Sequence, residues 1–307
     1  MSPALRDDLP AYLKLLAVVL IWGGTFVAGG QLAGSVAPLL AASVRFLLAS
    51  LVLGGLLALL PPLRRLPSRR QFGQLAVLGF FGVFVYNLCL FQGLQSVSAS
   101  RASLIVALNP AAIALASAVL FKERLGLGRQ LGIAVCLLGA GTVILGRDPQ
   151  ALGATQGVGQ GDLLMLGCVL SWGVYSLFGR ALIASLGALA TVAWSVLLGS
   201  VMLFALAISQ GALNLPALAA LNRSDWFSLG YLGIVGSALA YYWYYQAIAR
   251  IGPTRSGVFI ALNPLSAVLF AALLLGEQLG PVMALGGALV LLGIVLCNWP
   301  GRVRPKA

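Results

Sequence analysis

The sequence holds no histidine, and only seven of its 307 residues are acidic. The first absence removes the side chain that most readily carries a proton near neutral pH and the commonest metal ligand. The second matters because of where the seven lie. Asp7, Asp8, Asp148, Asp162 and Asp225 fall in tails or at the edges of apolar segments, and Glu123 and Glu277 fall at segment ends. No carboxylate occupies the middle of an apolar segment. Ionisable groups inside a membrane mark proton relays and counter-ions for charged cargo, so their absence argues against proton-driven antiport and organic-cation export. It also argues against catalysis, which needs a convergent acid, base or nucleophile. Cysteine is scarce, at four residues. Cys89, Cys136, Cys168 and Cys297 all sit inside apolar segments, where a lone thiol behaves as a small apolar side chain. No disulfide, metal site or cofactor is implied.

What is present is hydrocarbon. The composition is 60% hydrophobic and 8% charged, with a mean hydropathy of +1.00. A hydrocarbon layer roughly 30 Å thick is crossed by about 20 apolar residues in a helix. Breaks at Gly, Pro and charge clusters leave ten such segments, at 12–30, 37–60, 72–91, 98–121, 128–146, 162–181, 188–209, 227–248, 254–275 and 281–299. They predict an all-α membrane protein of ten transmembrane helices. The first is longer than a signal-peptide core and is read as a span. The net charge of +12 does not point to nucleic acid, because the basic residues lie in short gaps between apolar segments rather than on one face. The expected partner is the lipid bilayer. With both termini in the cytoplasm, 15 of the 19 Lys and Arg fall on that side and only Arg147 and Arg223 fall outside, as the positive-inside rule requires.

The chain repeats itself. Residues 92–126 and 246–280 align without a gap at an offset of 154, with 12 of 35 positions identical. The matches include Arg101 with Arg255, the run Ala107-Leu108-Asn109-Pro110 with Ala261-Leu262-Asn263-Pro264, and Glu123 with Glu277. The polar, Gly-rich stretch 147–161 is the natural linker between a first five-helix repeat, 1–146, and a second, 162–307. An odd number of spans per repeat makes the second copy start on the opposite side of the bilayer, so the repeats are expected to be inverted. Inverted apolar halves are the signature of carriers that hold cargo near the bilayer midplane between them.

Several residues are candidates for contact with that cargo. Arg45 is a cation within the second span; it either snorkels or bonds between helices, or it holds a substrate carboxylate. Asn109-Pro110 and Asn263-Pro264 sit near the centres of spans four and nine, where proline breaks the backbone ladder. Trp22 and Trp172 occupy matching mid-span positions, away from the interfacial belt. There the indole N–H wants a partner, which water or substrate would supply. Tyr241 to Tyr245 form five consecutive aromatics that cover every face of a helix, with Tyr241, Tyr245 and, less closely, Tyr244 on one side and Tyr242 on the next. Tyr86 and Asn87 on span three are candidates for the outer pathway. The glycines of spans five and ten, Gly132, Gly139, Gly141, Gly286, Gly287 and Gly293, suit close packing or a homodimer surface.

These residues, above all the Asn-Pro match and Glu277 that follows it, together with Trp22-Gly23-Gly24-Thr25-Phe26, resemble the EamA family of the drug/metabolite transporter superfamily. The resemblance covers the whole chain and is greatest to bacterial exporters of aromatic and other neutral amino acids. It implies an inner-membrane carrier whose cavity is lined by spans one, three, four, six, eight and nine, with spans five and ten peripheral. On that analogy Trp22, Tyr86, Asn109, Trp172, Tyr175, Tyr242, Tyr245 and Asn263 touch substrate. The chain departs from the small multidrug relatives, which carry a Glu in the first span. Export of neutral amino acids or similar metabolites by alternating access and facilitated diffusion is the expected function. The rivals are export of hydrophobic drugs and, from another class, a membrane enzyme acting on lipid.

Overall fold

The computed structural model describes residues 3–59, 66–121, 126–146, 159–251, 259 and 262–298. Among these every regular element is a helix, as an apolar chain in hydrocarbon requires, because the helix satisfies each backbone N–H within its own segment. The first half contains α1 (Pro3–Leu32), α2 (Pro38–Leu59), α3 (Arg69–Gly93), α4 (Ala99–Val106), α5 (Asn109–Phe121) and α6 (Leu127–Leu145). In the second half are α7 (Gln160–Leu186), α8 (Ala188–Ser209), the short α9 (Leu215–Ala219), α10 (residues 223–251), α11 (Asn263–Leu275) and α12 (Pro281–Asn298). Seven helical stretches are long and apolar enough to cross a bilayer, and α11 and α12 are apolar but shorter. Most of the expected linker, Glu123, and the start of the ninth segment lie outside the described residues.

The Asn-Pro positions break their spans as the missing proline donor demands. Between α4 and α5 the chain makes one turn, with Leu108 N–H donating to Ile105 O at 3.0 Å and Ala112 N–H to Leu108 O at 2.9 Å. The second half repeats the turn before α11. There Leu262 N–H donates to Phe259 O at 2.9 Å and Ser266 N–H to Leu262 O at 3.2 Å. Each of the three residues in one turn is displaced from its counterpart in the other by the offset seen in the sequence.

Packing obeys the same correspondence. α1 lies against α10 and α11, and its counterpart α7 lies against α3, α4 and α5. α2 packs on α8, and α6 packs on α12, so these elements meet their own counterparts. The α6–α12 seam is the tightest. A methyl group at Gly132 would strike the backbone of Gly293 and Cys297, and one at Gly286 would strike Gly139 and Val143. Small residues thus let the two backbones touch, the arrangement that replaces the hydrophobic effect where the solvent is itself apolar. Leucines cover the outward faces of the bundle, among them Leu51, Leu138, Leu170, Leu273 and Leu292.

The seam predicts an asymmetry between neighbouring glycines. Gly293→Val forces the two backbones apart and should cost about 1–3 kcal/mol, read as a lower thermal unfolding midpoint in detergent. Gly141, which has open space where a Cβ would go, should accept Val with no measurable shift.

Candidate functional site

Two helices carry a π-helical segment at corresponding places. In α3 it spans Phe80–Val85, and in α10 it spans Tyr231–Leu239. A π turn widens the ladder by one residue, and three carbonyls of these segments accept from side chains. Asn87 Nδ2 donates to Val83 O at 2.8 Å, Ser237 Oγ donates to Leu232 O at 2.9 Å, and Trp22 Nε1 donates to Gly236 O at 3.0 Å. The indole N–H therefore has a protein partner, where the sequence alone suggested water or substrate.

Around these segments six rings form one continuous group. Trp22 on α1 lies 5.5 Å from Tyr241 and 5.3 Å from Tyr244 between centroids. Trp172 on α7 lies 5.8 Å from Tyr86, 5.4 Å from Tyr175 and 6.4 Å from Tyr241. All fall in the range where aromatic pairs attract, and Tyr241 joins the halves. Gly82 makes the room for this group: any side chain there would overlap the Tyr175 ring. The Tyr175 hydroxyl lies 3.3 Å from Ser195 Oγ.

Beside the rings sits a buried cation. Arg45 is 7% exposed, about 10 Å along α2 from its start at 1.5 Å per residue. It does not snorkel. Its Nε donates to Ser237 Oγ at 3.1 Å and its Nη1 to Asn87 Oδ1 at 3.1 Å, which ties α2 to α3 and α10. Among the described residues no carboxylate pairs with it. An arginine at such depth costs on the order of 2.5–3.5 kcal/mol by insertion scales. At the helix breaks, Asn109 Oδ1 and Asn263 Oδ1 are buried with no hydrogen-bond partner among the described residues, and they are corresponding acceptors in the two halves.

With this geometry in place, comparison with known proteins is decisive for the family. The sequence model of the EamA-like transporter family matches the chain twice, over residues 9–145 and 159–299. The chain belongs to this family. Full-length relatives include the uncharacterized transporter YyaM of Bacillus subtilis, 26% identical with 97% of this chain and 96% of that protein aligned. The uncharacterized inner membrane transporter YedA of Escherichia coli K12 is 30% identical over 95% of this chain and 91% of its own. A probable terminal-alkyne amino-acid exporter of Streptantibioticus cattleyicolor is 29% identical over 94% and 93%. A solved crystal structure, 23% identical, shares the fold with a TM-score of 0.65 over 93% of this chain and 95% of its own.

Of the candidate contact residues in this EamA-like transporter, Trp22, Tyr86, Trp172 and Tyr175 fall in the ring group and Arg45 lies at its side. Asn109 and Asn263 mark the helix breaks. Tyr242 takes part in none of the ring pairs, and the side chain of Tyr245 lies outside the described residues. Tyr244, one helical turn from Tyr241, fills the place beside Trp22 instead. Ser237 carries no sequence signal, being a small residue in an apolar run. The π segments had one, glycine pairs at 79 and 82 and at 233 and 236 that repeat at the same offset.

The two ends of the bundle differ. At the end carrying Glu277, Ala99 and Ser100 donate their backbone N–H to the Glu277 carboxylate at 2.9 and 3.0 Å, an anion at a helix N-terminus. Arg101 meets Asp162 through Nε at 2.7 Å and Nη2 at 2.9 Å, and donates further to Gly146 O at 2.7 Å and Ile144 O at 2.6 Å. Ser35 donates to Asp225 at 2.9 Å on the same end. At the other end Lys14 donates to Gln246 at 2.6 Å, the Arg250–Asp8 pair spans 3.4 Å and is largely exposed, and a groove opens between α1 and α10. Breaking the buried pair by Arg101→Ala should cost about 3–5 kcal/mol, seen as a large drop in the unfolding midpoint. Arg250→Ala should move that midpoint little, because exposed pairs contribute about 0–1 kcal/mol.

Proposed function

We propose that this EamA-like transporter exports neutral, amphipathic amino acids or similar small metabolites by alternating access, moving them down their own gradient. The observation that carries the reading is the ring group shared between the halves. Aromatic walls accept varied side chains by stacking and dispersion, while a few fixed polar groups orient the polar end of the cargo. The probable terminal-alkyne amino-acid exporter among the relatives supports the substrate class.

In this reading the halves, 1–146 and 162–307, are inverted copies, and the reciprocal packing of corresponding helices supports that. Both termini lie in the cytoplasm by the distribution of basic residues. The Glu277 end is then periplasmic and latched, and the groove at the Arg250 end faces the cytoplasm. A second copy, where one associates, would use the outward leucine faces of α6 and α12, since their glycines face each other.

Uptake of a radiolabelled panel containing aromatic amino acids, Met and Thr into proteoliposomes, with and without a proton gradient, tests the proposal. Saturable uptake that needs no gradient is expected. Tyr241→Ala should lower it about tenfold, the scale of losing two ring contacts and their buried area, and Tyr242→Ala should lower it less. Movement of lipophilic drugs with no amino acid transported under either condition would overturn the assignment.

A further inference from the structure

The two buried arginines among the described residues are built differently, and the contrast identifies a binding group. Arg101 is a finished structural unit. Its guanidinium makes four hydrogen bonds, two of them to the Asp162 carboxylate, so its charge is neutralised and its donors are largely used. Arg45 is unfinished. It makes two hydrogen bonds, both to neutral side chains, and of the five N–H donors of a guanidinium the others have no hydrogen-bond partner among the described residues; the Phe46 ring 5.2 Å from its central carbon is a neutral face that leaves the charge without a counter-ion. The sequence offers none nearby, since all seven acidic residues lie in tails or at span ends.

The two partners present only lone pairs to Arg45. Ser237 spends its single proton on Leu232 O, so its oxygen accepts from Arg45 Nε. Asn87 gives its amide N–H to Val83 O, which fixes Oδ1 toward Arg45 Nη1. The guanidinium is thereby held in one orientation by groups that leave its charge intact. Tyr86 and Tyr241 are the titratable side chains within its electrostatic reach, and both rings touch Trp172. The cation thus adjoins the ring group.

We propose that Arg45, oriented by Asn87 and Ser237, is the carboxylate subsite of the transport pathway, and that cargo must carry a carboxylate beside its apolar body. This rests on the carrier reading above and narrows it. One fixed positive charge with no fixed negative charge inside the spans repels lipophilic cations and receives a carboxylate in a bidentate contact. An ammonium group on the cargo is tolerated over the aromatic faces but is not required.

The test compares uptake of four compounds into proteoliposomes: phenylalanine, 3-phenylpropionate, phenylalanine amide and phenethylamine. The wild-type protein should take up the two carboxylates and discriminate at least tenfold against the amide and the amine. Arg45→Gln should lose about 10- to 100-fold of carboxylate uptake, the worth of a charge-assisted hydrogen bond, and with it the discrimination; Arg45→Lys should recover part. Asn87→Asp separates binding from folding. It gives Arg45 an internal counter-ion, so the variant should remain folded, as judged by a single symmetric size-exclusion peak, while carboxylate uptake falls as in Arg45→Gln. If amino acids move and the amide competes equally, or if Asn87→Asp transports normally, the subsite is wrong and the carrier reading stands. Transport of none of the four overturns both.

Discussion

A polar group buried in hydrocarbon has no water to turn to, and the π-helical segments of α3 and α10 are arranged around that constraint. Carbonyls of these segments accept from side chains at the centre, Asn87, Ser237 and Trp22. These bonds have a second effect. Once its donor is committed, Asn87 or Ser237 presents a fixed acceptor, and the indole of Trp22 is fixed in the angle it shows to Tyr241 and Tyr244. The defects in the helices therefore orient the centre.

The same constraint sorts the charges. Acidic residues that the structure describes within the bundle are used at helix ends, where they satisfy N–H groups that have no partner inside their own helix. Asp162 accepts from Gly159 N–H and Asp225 from Asn222 N–H in their own capping boxes, and Glu277 crosses to the N-terminus of α4 in the other half. Asp162 and Asp225 also reach across to Arg101 and Ser35. The Glu277 end is held by contacts between segments far apart in the chain. At the Arg250 end the Arg250–Asp8 pair is largely exposed and Lys14 donates to Gln246 beside a groove.

Much of this was legible in the sequence because it depends on long-range composition. Among the described residues the apolar segments are largely helical, with seven stretches long and apolar enough to cross a bilayer, and the two Asn-Pro sites gave breaks where proline must give them. The offset of 154 reappears in turn geometry and in glycine contacts. The remainder was illegible for local reasons. Gly79, Gly82, Gly233 and Gly236 read equally well as packing residues or as sites of a widened turn, and periodicity does not distinguish the two. Five consecutive aromatics leave the choice between Tyr242 and Tyr244 to the rotation of α10, which packing sets. Arg45 was visible as an anomaly, but its partners come from two other helices, and Ser237 is one hydroxyl in an apolar run.

The absence of acidic residues from the spans also bears on energy. On the proposed reading, a carrier with neither carboxylate nor histidine inside its spans takes its driving force from the cargo itself. A zwitterion crosses the membrane as a neutral body and feels its concentration gradient alone. A monoanion leaving the cell also moves through the inside-negative potential, which contributes about 2.3 kcal/mol per elementary charge at 100 mV, or roughly a fifty-fold bias toward export at 1.4 kcal/mol per factor of ten. On the proposed reading a fixed Arg45 makes that bias usable, because it would neutralise the anion within the spans, where an unpaired carboxylate costs most. The lone cation and the lack of acidic residues inside the spans would then be two parts of one arrangement, in which the membrane potential does what a proton relay does in other carriers.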